Sequence, residues 1–245
     1  MKTKAILLFS TLFVNFLFSQ KVNVEFITKT DSIYKKEKRD FIYLNEKTDL
    51  SAAKIIGKIK ANGKADWYML FYSIMTKAQK LGANAFKYSS SSEKGDISEL
   101  IIDNYLISEE IKADNELIID TYLISEEIKA DNKEFLPKNK IYFFGRHNKK
   151  GTTEEFKLNG KKTPLKAFHY AVYNLDKDTQ INKGGSLGTT LNISPNPSGR
   201  SYYMNFSGFG PSAVMTGSLS FTAGNIIQMD ENYSLLLTHI YQLQE

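Results

Sequence analysis

The segment from Asp66 to Tyr88 constrains the chain most, because its apolar residues recur with one period and stop at a defined place. Trp67, Leu70, Phe71, Ile74, Met75, Ala78 and Leu81 are spaced three and four residues apart, which gathers them on one stripe of a helix. Tyr68, Ser73, Thr76, Lys77, Gln79 and Lys80 fall on the wet side. Asp66 is placed to accept hydrogen bonds from the first free N–H groups, and Gly82 to take the left-handed turn that ends the helix. Lys77 and Lys80 lie near the C-terminal end, where the helix dipole favours positive charge. Asn84-Ala85-Phe86-Lys87-Tyr88 then reads as a strand folding back to cover the stripe.

The chain has 245 residues, 42% of them hydrophobic and 24% charged, enough to bury one large core or two modest ones. The formal net charge of +5 includes Lys2 and Lys4. No face or run is strongly basic, which argues against nucleic acid as a partner. The densest cluster, Lys35-Lys36-Glu37-Lys38-Arg39, reads as a solvated turn or strand edge. There is no cysteine, so disulfides, thiol catalysis and thiolate metal sites are excluded.

Residues 1–20 have the order of a secretory signal peptide. Lys2 and Lys4 form a positive start, Ala5 to Phe18 is an apolar stretch broken by Ser10, Thr11 and Asn15, and Ser19 suits cleavage. The stretch is too short and interrupted for a membrane span, and no later one approaches spanning length. Export to the periplasm, the cell surface or the medium is the expectation. A lipid-anchored export signal needs a cysteine at the cleavage point, so the expected product is not a lipoprotein.

After this segment, Lys21 to Ile27 alternates as a strand, Phe41 to Leu44 is a second apolar run, and Ser51 to Ile59 fits either a short helix or a strand. Ser89 to Asp96 reads as a polar loop. Glu99 to Asn115 is then repeated directly as Glu116 to Asn132, with Thr121 in place of Asn104 as the single difference. Seventeen residues matches neither regular period. On a helix the second copy would be turned by about 100°, and on a strand an odd shift flips every side chain. The two copies therefore cannot share one continuous buried face. Each is expected to form its own β-rich segment, with Lys-Ala-Asp-Asn as the turn, as a tandem insertion at a sheet edge where extra length costs little.

Leu136-Pro137 marks the expected domain boundary, and the remainder reads as all-β. Lys140 to Arg146 is a strand, and Phe156-Lys157-Leu158 before Asn159-Gly160 signals a tight hairpin. Lys166 to Leu175 alternates, with the bulkier Phe168, Tyr170 and Val172 expected inward and His169 and Tyr173 outward. Strands are also expected at Leu187–Ile193, Ser201–Ser207, Ser218–Phe221 and Ile226-Ile227, with Tyr202, Met204 and Phe206 inward and Tyr203 outward. Tyr233 to Leu243 fits a helix or a strand. The fold class is thus an α+β N-terminal module (residues 21–136) followed by an all-β sandwich domain (residues 138–245).

Two resemblances accompany this reading. Lys77-Ala78-Gln79-Lys80-Leu81-Gly82-Ala83-Asn84-Ala85-Phe86 resembles the joint between a helix and its return strand in small α+β envelope modules, the Rcs sensor lipoproteins and YbjQ-like domains. The sensor's disulfides have no counterpart in this cysteine-free chain. Lys140 to Phe206 resembles a PEGA-like β-sandwich domain of exported bacterial proteins. The likeness rests on the Lys-Ile-Tyr-Phe-Phe-Gly-Arg strand, the Phe-Lys-Leu-Asn-Gly-Lys-Lys hairpin, Tyr170-Ala171-Val172-Tyr173 and Ser201-Tyr202-Tyr203-Met204-Asn205. Asp176-Lys177-Asp178 stands where that family has a Pro-Gly turn. The resemblances imply a fold and an envelope setting, and no chemistry.

No catalytic, cofactor or metal constellation is legible. His147, His169 and His239 have no second ligand at metal spacing. Gly184 to Thr190 lacks the lysine of a phosphate loop, and Ser198 and Ser207 lack the nucleophile elbow. Glu109-Glu110 and Glu126-Glu127 are acidic pairs copied by the duplication. Asp31-Ser32-Ile33 resembles an envelope O-glycosylation signal. Aromatic residues, 13% of the chain, are the remaining lead. His169, Tyr173 and Tyr203 are expected to form one exposed patch suited to a glycan or an envelope protein. The expected function is a non-enzymatic exported binding module without cofactor. The alternatives are a structural or assembly component of the envelope, which a free sheet edge at the duplication would favour, and a hydrolase, which acids converging on a histidine in a deep pocket would favour.

Overall fold

The computed structural model describes residues 22–30, 40–94, 114–146, 152–185, 188–207, 210–213, 219–222 and 225–245. The expected signal segment, Asp31-Ser32-Ile33, the Lys35–Arg39 cluster, His147 and the first repeat up to Ala113 lie outside these residues. The chain divides into two compact units that are not contiguous in sequence. One comprises Met1–Glu37, Ile55–Ala83 and Ser89–Thr121; the other comprises Lys38–Lys54, Asn84–Tyr88 and Tyr122–Glu245. The Leu136-Pro137 junction falls inside the second unit.

An N-terminal mixed sheet with a helix precedes a largely β region, so the α+β and then β-rich class stands. The mixed sheet contains β1 (Asn23–Lys29), β2 (Ile42–Tyr43), β3 (Lys54–Gly63), β4 (Ala85–Lys94) and β5 (Asp114–Leu123), in the order β1-β3-β5-β4-β2. The ambiguous Ser51–Ile59 stretch thus resolves toward strand. β4 runs on to Lys94, so most of the expected Ser89–Asp96 loop is strand.

In the first unit, α1 (Trp67–Gln79) has the expected caps. Asp66 accepts from the Met69 N–H at 2.8 Å, and Gly82 takes φ 93°. Its stripe of Trp67, Leu70, Phe71, Ile74 and Ala78 is buried, and the helix packs against β1. The Lys77 ammonium donates to the Val24 carbonyl and lies over the Phe26 ring at 5.1 Å. β1 and β3 are antiparallel, with a shift between Phe26, which pairs with Ile59, and Thr28, which pairs with Lys58; Gly57 follows, opposite Lys29. A Cβ at Gly57 would stand 2.4 Å from the Thr28 carbonyl oxygen, so only glycine allows this approach. The Gly57 carbonyl accepts from the Thr121 hydroxyl at 2.7 Å.

In the second unit, β2 pairs in parallel with the start of β4, Ile42 opposite Ala85 and Tyr43 opposite Phe86. The buried Asn84 amide donates to the Ile124 carbonyl at 2.9 Å and accepts from the Ile124 N–H at 2.8 Å. α2 (Glu126–Phe135) follows, capped by Ser125, with Glu126 and Glu127 in its first turn, where the dipole favours carboxylates. The second repeat is therefore a strand followed by a helix, and of the Lys112-Ala113-Asp114-Asn115 turn expected between the copies, Asp114 and Asn115 belong to β5 while Lys112 and Ala113 lie outside the described residues. The reason for the helix is local. Ser125 followed by Glu126-Glu127 is a helix start, and Ile128 packs with Leu44, Ala85 and Ile124. Asn132 accepts from Asn45 N and Thr48 Oγ1, both at 2.8 Å, and donates to the Tyr43 carbonyl at 2.8 Å.

The β-rich region forms two larger sheets. β6 (Lys140–Phe144), β9 (His169–Asn174), β12 (Tyr202–Ser207), β15 (Asn225–Gln228) and β16 (Gln242–Leu243) are ordered β15-β12-β6-β9-β16. β7 (Thr153–Leu158), β8 (Lys161–Lys166), β10 (Thr179–Lys183) and β11 (Thr189–Ile193) are ordered β11-β10-β7-β8. β13 (Gly210–Ala213) and β14 (Leu219–Thr222) form a separate hairpin. Asn159 and Gly160, with φ 50° and 80°, make the expected β7–β8 turn. Phe143, Phe156 and Phe206 bring the two larger sheets together, with ring centroids 4.5 to 5.6 Å apart. Ile141, Leu165, Ile181 and Ile193 extend this core. The region is not entirely β. The closing run forms α3 (Glu231–Ile240), capped by Asp230, with Leu235, Leu236 and Leu237 buried, before the short β16. α3 lies against β2, β12 and β16.

Candidate functional site: an aromatic cleft

The expected patch of His169, Tyr173 and Tyr203 does not form. Tyr203, 2% exposed, is buried and stacks on Tyr142. Tyr173 is half-buried on the opposite face of the same sheet, with its ring edge-on to Phe143 at 5.7 Å. The registers show why. Tyr203 pairs with Tyr142 and Tyr173 with Ile141, so consecutive residues of β6 send the two rings to opposite faces. His169 opens β9, half-buried, with Nδ1 2.7 Å from the Ala167 carbonyl oxygen. The assignment of faces along Lys166–Leu175 is inverted. Ala171 and Tyr173 face the sandwich core, while Tyr170 reaches Tyr142 and Phe144 on the other face. Two causes act together. Phe168 takes φ 57° in the turn between β8 and β9, which interrupts the alternation. The β6-containing sheet is also covered on both sides, so bulk does not mark the core face.

The aromatic surface lies on that second face. Tyr142 and Tyr170 stand 6.4 Å apart, and Phe144, Tyr241 and Phe168 continue the row. A cleft of ≈ 760 Å³ opens beside it. Tyr43, Tyr142 and Tyr170 give its aromatic wall, Leu235 and Leu243 its apolar part, and Asn45, Glu46, Lys47, Thr238, His239, Gln244 and Glu245 its polar part. Tyr43 comes from β2, next to Asn232, whose side-chain oxygen accepts from its N–H at 2.9 Å. Its hydroxyl is hydrogen-bonded to His239 Nε2 at 2.6 Å. The His239 ring stacks on Tyr88 at 4.8 Å, and α3 presents it one turn from Leu235 and Leu236.

Burial sets the protonation states. It pushes the Tyr43 phenol up to about 12, with Glu46 adding to the effect. It pushes Tyr142 up to about 12, with Tyr170 adding to it, and raises Tyr170 itself. It lowers His239, against the opposing pull of Glu46. The wall is therefore made of neutral phenols and a neutral imidazole near pH 7. Such groups orient a ligand by hydrogen bonds and ring contacts. Among the described residues no group of three or more His, Asp or Glu is arranged to hold a metal ion.

A second charged cluster belongs to the sandwich. Arg146 Nε and Glu154 Oε1 form an ion pair, Lys183 Nζ lies 3.7 Å from Glu154 Oε2, and the same ammonium sits over the Phe206 ring at 5.2 Å. Burial holds Lys183 below the ordinary lysine value, and Glu154 opposes that shift. Of the Gly184–Thr190 stretch, Thr189 and Thr190 open β11, which pairs antiparallel with β10, Lys183 opposite Thr189.

Sequence reading missed Tyr43, Tyr142, Tyr170 and His239 as site residues, since each sits in an ordinary strand or helix pattern and only the packing of α3 brings them together. No family model, curated protein or solved structure matches the chain.

Proposed function

We propose that the chain is an exported, non-enzymatic binding protein of the cell envelope or its surroundings, taking a neutral, hydroxyl-rich glycan in the cleft beside Tyr142 and Tyr170. The observation that carries this reading is the cleft's composition: Tyr43, Tyr142, Tyr170 and Tyr173 beside amide, hydroxyl, imidazole and carboxylate groups, in a volume of ≈ 760 Å³ suited to one or two sugar rings. Glu46 and Glu245 against Lys47 make it a poor seat for a polyanion. Export is supported by the charged, apolar, small-residue order of residues 1–20. No helix among the described residues is long and apolar enough to cross a membrane. The resemblance of Lys140 to Phe206 to PEGA-like domains supports the envelope setting.

The test is retention on immobilised envelope polysaccharide. Glu46→Ala, an exposed change at the cleft, is expected to weaken retention about tenfold, the effect of losing one charge-assisted hydrogen bond, with melting unchanged. Equal retention of the two proteins, or retention that only charged polymers support, defeats the reading. Export is checked on protein recovered from the producing cell, whose mature N-terminus is expected near Gln20 or Lys21. An intact Met1 defeats it.

A further inference from the structure

Glu116–Asn132 supplies most of β5 and the start of α2, and nearly every side chain that holds it in place has an identical counterpart 17 residues earlier. The fully buried Leu117 and Ile119 correspond to Leu100 and Ile102. Asp120, bridged to Lys58 at 3.3 Å, corresponds to Asp103. The cap Ser125 corresponds to Ser108, Ile128 to Ile111, and the clamped Asn132 to Asn115. The exception is Thr121. It is 0% exposed and donates to the Gly57 carbonyl, and Asn104 is its counterpart. Asparagine offers the same carbonyl a donor, but adds volume at a site with no free surface, which makes it the poorer occupant.

We infer that the place filled by Glu116–Asn132 accepts either repeat, and that Thr121 decides which one fills it. The fold then has two registers 17 residues apart. In the second, Ile97-Ser98 stand for Asp114-Asn115 at the start of β5, and Glu116-Leu117-Ile118 for Lys133-Glu134-Phe135 at the end of α2. The surplus length moves from the β4–β5 connection to the α2–β6 connection. Loop closure depends only weakly on length, so the side chain at the Thr121 position outweighs that relocation. The clamp at the Asn132 position is kept by an asparagine in either register, and Ser98 takes the place of Asn115, whose amide donates to the Ala65 carbonyl at 2.9 Å while its side-chain oxygen is buried without a partner.

The absence of cysteine from the chain makes the test direct. Lys58→Cys is combined in the full chain with either Asp120→Cys or Asp103→Cys, treated with a short bis-maleimide, and intramolecular cross-links are counted by mass spectrometry. The Asp120 pair is expected to dominate and the Asp103 pair to be a minority. Asn104→Thr is expected to raise the Asp103 share roughly tenfold without lowering the melting temperature, and Thr121→Asn to raise it while lowering that temperature. A ratio that neither substitution moves overturns the inference. So does cross-linking through Asp103 that occurs only between molecules. Deleting Glu116–Asn132 is the second measure: a folded, cooperative product supports the inference. A product that stays unfolded while the chain lacking Glu99–Asn115 folds overturns it.

Discussion

Tyr142 and Tyr203 stack across two adjacent parallel strands, ring centroids 5.0 Å apart and planes 21° from parallel, with Tyr203 buried behind the cleft that Tyr142 lines. The Tyr203 hydroxyl is buried beside the Glu231 carboxylate without a hydrogen bond of good geometry, and burial, reinforced by that carboxylate, pushes the phenol far above its ordinary value. Ring and hydroxyl thus act in opposite directions on stability. Tyr203→Ala is expected to lose about 3–5 kcal/mol, as for emptying a buried aromatic site. Tyr203→Phe is expected to stay within about 1 kcal/mol of the parent or to exceed it, since it removes an unpaired polar group. Urea unfolding of the two variants checks both; a large loss on Tyr203→Phe would show that the hydroxyl is paired.

Asn132 is fully buried, and its three hydrogen bonds tie α2 to the end of β2 and the segment after it. Asn132→Ala strands the Asn45 N–H, the Thr48 hydroxyl and the Tyr43 carbonyl together. A loss of about 3 kcal/mol or more is expected, from several desolvated groups left unpaired. Thr48→Val, which removes one of these partners, is expected to cost about 1 kcal/mol. The difference between the two unfolding free energies is the measurement.

His239 gives a pH dependence with a defined sign. Burial lowers its folded pKa below the ordinary 6.5, so between the two values the unfolded chain holds the extra proton and stability rises with pH. That contribution is complete above the ordinary value and is lost as pH falls through the window toward the folded value. Glu231 acts in the other direction. Burial raises its folded pKa above 4.5, so the folded state holds the extra proton in its window and gains stability as pH falls. The urea midpoint is expected to decline on acidification from about pH 7.5 to about pH 6, the histidine range, and His239→Gln to flatten that decline. A decline unchanged in His239→Gln assigns it elsewhere.

Gly145 donates to the His169 carbonyl at 2.8 Å where β6 passes β8, and a Cβ there would stand 2.1 Å from the Lys166 carbonyl oxygen. The obstacle is backbone, so it cannot swing aside. Gly145→Ala is expected to cost about 1–3 kcal/mol or more, as for overpacking a tight site. Gly160→Ala meets no atom within 4 Å and is penalised only through its φ of 80°. The order of the two melting temperatures tests this.

Periodicity made α1, its caps and the Asn159-Gly160 hairpin readable, because each depends on residues within a few positions of one another. What covers each face of β9 and β12 was not readable for a different reason. Alternation places residues on two faces and gave the inward set of β12, Tyr202, Met204 and Phe206, but it says nothing about what covers the other face: α3 lies on that of β12, and the β9 face expected to be free packs into the sandwich core. The second repeat shows the same limit. Its Ser125-Glu126-Glu127 helix start was present in the sequence, yet the identity of the two copies implied one conformation for both. Asn115 lies in a strand and Asn132 in a helix, although four residues before each are the same. Tertiary partners decide between them: Ala65 for one, Tyr43, Asn45 and Thr48 for the other. The cleft itself was out of reach, since Tyr43 and His239 are 196 positions apart.

The single tryptophan, Trp67, is buried in α1 within the first unit, whereas the stacked Tyr142, Tyr170 and Tyr203 lie in the second. Each unit therefore carries its own optical reporter. Indole fluorescence follows the first, and the near-ultraviolet dichroism of the packed phenols follows the second, with the exposed Tyr68 and Tyr72 adding little. Recorded in one denaturant titration of the unaltered chain, the two signals separate a molecule that melts in one step from one that loses its units in succession.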